Sequence, residues 1–210
     1  IHNNLGFVLQ KQNEWEDAAQ HYNLAIFADP EYAEAYNNFG NLRQEQNQFK
    51  AAIECYRRAI SVDPDYAEAY SNLGAALQGD GDFSEAAEAH RCALEIGSNQ
   101  AKLHFNYGVF CQYRGRLEEA IQAYKSAISL NHDFADAHKN LGMLLLLKGD
   151  FLNGWKEYEW RWNCDDFGEF WSKRNFPQPL LDNPDVQGKS ILIWAEQGVG
   201  DQIMFASMLN

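Results

Sequence analysis

The most regularly spaced chemistry-bearing side chains in this sequence are carboxamides. Asparagine recurs at Asn4, Asn38, Asn72, Asn106 and Asn140, a constant interval of 34 residues. Gln10, Gln44, Gln78 and Gln112 keep the same interval, and the series ends at Leu146. Each carboxamide offers one carbonyl acceptor and two N–H donors. A row of them can pair with the C=O and N–H groups of an extended peptide, which gives affinity with little side-chain selectivity. Groups suited to covalent or metal chemistry are less ordered. Cys55, Cys92, Cys111 and Cys164 form no C-x-x-C pair and have no histidine at metal-ligand spacing. They read as reduced thiols packed as small apolar groups, in keeping with a cytoplasmic setting. His104 and His138 share a position that Tyr36 and Tyr70 fill elsewhere. They read as packing residues, because too few other ligands accompany them to hold a metal.

The elements that carry the carboxamides follow from the same interval. Gly6, Gly40, Gly74, Gly108 and Gly142 are also 34 residues apart. With this glycine as the eighth position, the units are 1–32, 33–66, 67–100, 101–134 and 135–168. Position 7 is large (Leu5, Phe39, Leu73, Tyr107, Leu141), as is position 24 (Tyr22, Tyr56, His90, Tyr124, Tyr158). Position 20 is small (Ala18, Ala52, Ala86, Ala120, Gly154), and position 27 is alanine until Arg161. The glycine and the alanine at position 20 are expected to face each other where two helices approach closely. Asp29-Pro30 and Asp63-Pro64 end helices, since the residue before proline avoids the α region. Asn13, Asn47, Gly81, Gly115 and Gly149 suit the left-handed residue of a helix–helix turn. Each unit is therefore expected to hold two antiparallel helices, at about positions 2–14 and 17–30.

These columns resemble tetratricopeptide repeats (TPR), and the resemblance covers 168 of the 210 residues. It implies an all-α, right-handed superhelical solenoid of about five hairpins. The first helices would line a concave face through positions 2, 5, 6, 9, 12 and 13. The asparagine column is also similar to the asparagine ladder of O-linked N-acetylglucosamine transferases, which holds peptides by their backbone. On that likeness Asn4, Asn38, Asn72, Asn106 and Asn140, with Gln10, Gln44, Gln78 and Gln112, form the expected peptide groove. Equally, an asparagine at this position can bond to neighbouring backbone and serve structure alone. A carboxylate clamp for acidic tails would need repeated bases at position 5. That column reads Asn3, Asn37, Ser71, Phe105, Lys139, so such tails are not expected partners.

The fifth unit decays into an aromatic second helix, with Trp155, Tyr158 and Trp162 at i, i+3, i+7. These either cap the stack or dock a following domain. Residues 169–190 read as an aromatic and proline-containing linker. Ile191–Ala195 reads as a buried strand, followed by a glycine loop and a helix whose N-cap is Asp201. The tail resembles the start of the GT-B glycosyltransferase-like domain that follows TPR arrays in bacterial proteins, similar to heptosyltransferases. That likeness implies an α/β domain truncated within 191–210, with Asp201 either as the base that deprotonates an acceptor hydroxyl or as a helix cap. It also implies a nucleotide-sugar donor for a longer protein, and no cofactor in residues 1–210. Ile1 and Asn210 both fall inside helical patterns, so the sequence reads as a piece of a longer chain.

Charge narrows the partners. The formal net charge is -13, and residues 1–168 hold 14 Lys and Arg against 25 Asp and Glu. Such a surface repels phosphate backbones and anionic membranes. The apolar runs, Met143–Leu147 among them, stop far short of the roughly 18–20 residues that span a bilayer. The expected function is a protein- or peptide-binding module. The alternative is the substrate-presenting region of a glycosyltransferase. Self-association through the repeat ends, or through the unpaired edges of strand 191–195, is a third expectation.

Overall fold

The computed structural model describes residues 1–164. The chain divides into two compact units, Ile1–Trp160 and Arg161–Asn210. The linker 169–190, the strand–loop–helix segment 191–210 and Asp201 all lie outside the described residues, as does the end of the fifth repeat. Among the described residues there is no strand.

The first unit is ten helices in five hairpins: α1 (His2–Lys11) with α2 (Trp15–Ala28), α3 (Ala33–Glu45) with α4 (Phe49–Val62), α5 (Ala67–Asp80) with α6 (Phe83–Ile96), α7 (Ala101–Tyr113) with α8 (Leu117–Leu130), and α9 (Ala135–Leu147) with α10 (Phe151–Tyr158). Each second helix also packs on the first helix of the next hairpin.

The turn inside each hairpin falls on the expected residues. Asn13 (φ 60°), Asn47 (φ 58°), Gly81 (φ 94°), Gly115 (φ 70°) and Gly149 (φ 85°) are all left-handed. The next residue closes the helix end in every case, as where Gln48 N donates to Arg43 O (2.9 Å) and Arg116 N to Cys111 O (2.8 Å). This six-to-one bond satisfies carbonyls that the helix leaves unpaired. Between units, Asp29, Asp63 and Asn131 are extended. Their side chains accept from the backbone N–H two residues on (3.0, 3.1 and 3.1 Å), so Asn131 makes the break without a following proline.

The core differs from the sequence reading in one respect. The eighth-position glycine faces the aromatic ring at position 24, not the alanine at position 20. A methyl group on Gly40 would stand 2.6 Å from Tyr56 Cε1, and one on Gly108 2.6 Å from Tyr124 Cε1. Tyr22, Tyr56 and Tyr124 are fully buried in these seats, and Ala18, Ala52, Ala86 and Ala120 are fully buried beside them. Removing each ring from water contributes about 2 kcal/mol. In the fifth unit Gly142 instead faces backbone, the Tyr158 amide and the Gly154 carbonyl. Here α9 and α10 meet main chain to main chain.

The aromatic end of this unit is also a correction. The α-helix stops at Tyr158 and tightens into a 3-10 turn, Glu159–Asn163. Trp155, Tyr158 and Trp162 therefore do not continue one α-helical face. Trp155 meets Tyr158 edge-on (6.0 Å), while Trp160 stacks on His138 (4.2 Å, 9°).

Candidate binding face on the first helices

Helices α1, α3, α5 and α7 touch in succession, whereas successive second helices make no comparable contact. The first helices are therefore crowded together on the inner, shorter side of the stack.

The asparagine column lies on this side and is tied into a ladder. Asn38 Nδ2 donates to Asn3 Oδ1 (3.1 Å), Asn72 Nδ2 to Asn37 Oδ1 (2.9 Å), and Asn106 Nδ2 to Ser71 Oγ (2.9 Å). Asn72 Nδ2 also reaches Asn41 Oδ1 (3.2 Å). Each rung runs from the sixth position of one unit to the fifth of the unit before. The acceptors Asn3, Asn37 and Ser71 are buried. In the last rung the fifth position is Phe105, which has no acceptor, so Asn140 Nδ2 turns to Tyr124 Oη (3.4 Å). Asn4, at the open end, is exposed. The Oδ1 atoms of Asn38, Asn72, Asn106 and Asn140 accept no hydrogen bond among the described residues, and these four side chains are half-buried.

The glutamine column is placed differently. Tyr22 Oη donates to Gln10 Oε1 (2.8 Å), Tyr56 Oη to Gln44 Oε1 (3.0 Å) and Tyr124 Oη to Gln112 Oε1 (2.6 Å). Gln10 is buried outright. These carbonyls accept from the core tyrosines, which ties the glutamines to the hairpin core. In the third unit His90 replaces the tyrosine, and Gln78 has no such donor. Both His90 ring nitrogens are buried without a partner, and burial lowers its pKa to about 4.

Sequence reasoning missed two pairings. The sequence pattern places the fifth-position acceptors in the groove lining and does not by itself join the tyrosine to the glutamine. A signal for the second existed: Gln accompanies Tyr at positions 12 and 24 in units 1, 2 and 4. His104 Nε2 meets the Ser98 carbonyl (2.8 Å), and His138 lies between the His132 carbonyl (3.0 Å) and the Glu157 carboxylate. Each ring is thus tied to the loop that precedes its own helix. The four cysteines are free, and burial pushes the Cys55 thiol up to about 11. No group of three or more His, Cys, Asp or Glu among the described residues is placed to hold a metal. No helix among them is long and apolar enough to cross a membrane.

Residues 40–81 and 111–149 match a family model described as TPR repeat, and residues 67–97 match one described as tetratricopeptide repeat. The hairpins within these stretches match tetratricopeptide repeats. No curated protein matches the chain. Among solved structures, the TPR stack is similar to MamA at 23% identity and a TM-score of 0.61, over 75% of this chain and 92% of that one. It is similar to PilF of Pseudomonas aeruginosa at 20% identity and a TM-score of 0.69, over 76% and 72%. It is also similar to YrrB, a TPR protein with an unusual peptide-binding site, at 22% identity and a TM-score of 0.55, over 77% and 84%. These likenesses describe the fold.

Proposed function

We propose that this TPR module holds an extended segment of a partner protein along its first-helix face, with the carboxamides of Asn38, Asn72, Asn106 and Asn140 reading the partner's backbone. One observation carries the reading. Each of these asparagines fixes its orientation through its Nδ2 group, Asn72 through two acceptors, leaving a carbonyl oxygen that accepts no hydrogen bond among the described residues. Side chains already immobilised lose little entropy when a ligand arrives. Evenly spaced amide groups suit a repeating backbone better than any one side chain. The ladder thus serves both structure and binding, and the peptide-binding site reported for the similarly folded YrrB is consistent with this use.

The two roles separate experimentally. Asn72→Ala and Asn106→Ala together are expected to weaken binding of unrelated extended peptides by tenfold or more, read by fluorescence anisotropy. Asn37→Ala removes a rung acceptor but no surface amide. It is expected to lower the melting temperature while changing affinity much less. Equal affinity losses from both sets would mean that the asparagines are structural only.

A further inference from the structure

From unit 2 onward the inner face changes character along the stack. At the ninth and thirteenth positions units 2 and 3 carry Asn41, Glu45, Ala75 and Gly79, while units 4 and 5 carry Val109, Tyr113, Met143 and Leu147; unit 1 carries Phe7 and Lys11 at the same positions. These four apolar side chains are 38, 65, 38 and 70% exposed. A single exposed apolar residue is ordinary, but four at equivalent positions of successive first helices form a patch of the kind that marks a binding site. Tyr113 is held in place despite its exposure. Its ring stacks on Phe83 of the preceding unit (5.9 Å, 29°), and the Arg114 guanidinium lies over Phe83 (4.4 Å). An aromatic fixed in this way is a ready anchor.

Charge sets the other end. Lys102 pairs with Glu68 and Lys139 with Asp136, which neutralises units 3 to 5 at the second position. Glu34 and Glu45 on α3 form no ion pair among the described residues; Glu34 accepts from Asn3 Nδ2 (3.0 Å) and Tyr32 Oη (3.3 Å), which leaves Glu45 as the open carboxylate. The Glu45 carboxylate lies near enough to the Tyr22 and Tyr56 hydroxyls to help raise both pKa values, after burial itself.

Resting on the groove reading above, we infer that the bound segment carries a bulky aliphatic or aromatic side chain over units 4 and 5 and a lysine or arginine over unit 2. Packed helices lie about 9 Å apart, so the two features are about 22 Å apart, which an extended chain spans in about seven residues. The partner is thus a basic, apolar-anchored segment. Acidic or uniformly polar segments are rejected by Glu45 at one end and by the unfilled apolar patch at the other.

The test uses labelled twelve-residue peptides with one lysine and one leucine seven residues apart, in both chain directions, against the same peptides with Leu→Ser or Lys→Glu. On the wild-type protein each change is expected to weaken binding at least tenfold. On the Tyr113→Ser/Leu147→Ser variant, with an unchanged melting temperature, Leu→Ser is expected to change affinity less than threefold. Equal affinity for the leucine and serine peptides on the wild type overturns the inference. If Asn72→Ala/Asn106→Ala still weakens those peptides, the groove reading stands without it. Failure of every peptide to bind, with concentration-dependent self-association that Leu147→Ser abolishes, overturns it as well, because a second copy of the chain then covers the patch.

Discussion

At the scale of single residues, His90 is the clearest departure from the repeat. In units 1, 2 and 4 a tyrosine hydroxyl spans the hairpin to a glutamine carbonyl. The imidazole fills the same seat against Gly74, with Phe110 5.1 Å and Tyr107 6.4 Å away between ring centroids, but it reaches no acceptor. No charged group contributes to its shift, which comes from burial alone and takes the pKa from 6.5 to about 4. The folded chain therefore binds fewer protons than the unfolded chain between these values. Stability is complete above pH 6.5 and falls as the pH drops toward 4, by about 3 kcal/mol in total. His90→Tyr supplies the missing bond to Gln78 and removes the unpaired nitrogens. It is expected to raise stability by about 1–3 kcal/mol and to flatten that pH slope, both read by urea unfolding at pH 7 and pH 4.5. A less stable variant with the slope intact would contradict this account. The identity of His90 was visible in the sequence, but its lack of a partner was not. That lack depends on the length of an imidazole against a phenol in one fixed seat.

At the scale of elements, the turns and helix breaks were legible because they rest on local chemistry. Left-handed residues favour glycine or asparagine whatever the distant chain does. The fifteenth position accordingly reads Asn, Asn, Gly, Gly, Gly through the five units. Gly115→Ala is expected to cost about 1 kcal/mol, since a Cβ is strained at positive φ. Gly115→Asn is expected to cost less than half as much, because Asn13 and Asn47 hold the same turn. Equal losses by urea titration would show that something other than backbone conformation fixes the turn. What stayed hidden were the side-chain rungs between units. Asn72 reaches Asn37, 35 residues earlier, and the acceptor column drifts from Asn to Ser to Phe. A drifting column gives no periodic signal, although any acceptor of suitable length serves the bond. The end of α10 was hidden for another reason. Gly142 lets the backbone of α10 approach α9 directly, and a simple helical wheel through Trp155, Tyr158 and Trp162 does not include that approach.

At the scale of the whole solenoid, one pattern repeated five times produces a face that is not uniform. The asparagines keep it constant along the sixth position. From unit 2 to unit 5 the ninth and thirteenth positions grade it from carboxamide and carboxylate to apolar, after Phe7 and Lys11 in unit 1. That combination suits a partner recognised partly by backbone and partly by one anchor and one base. The presence of the face was legible in the sequence from the period. Its commitment of glutamine carbonyls to core tyrosines was not, because that bond joins two helices of a hairpin. The most direct test of the central claim is a titration of the 15N-labelled chain with the lysine–leucine peptide, followed through the side-chain amide signals of asparagine. Shifts at Asn38, Asn72 and Asn106, with Asn23 on the outward α2 unchanged, are the predicted result. Unmoved signals at those three positions, with shifts confined to the second helices, would contradict the account.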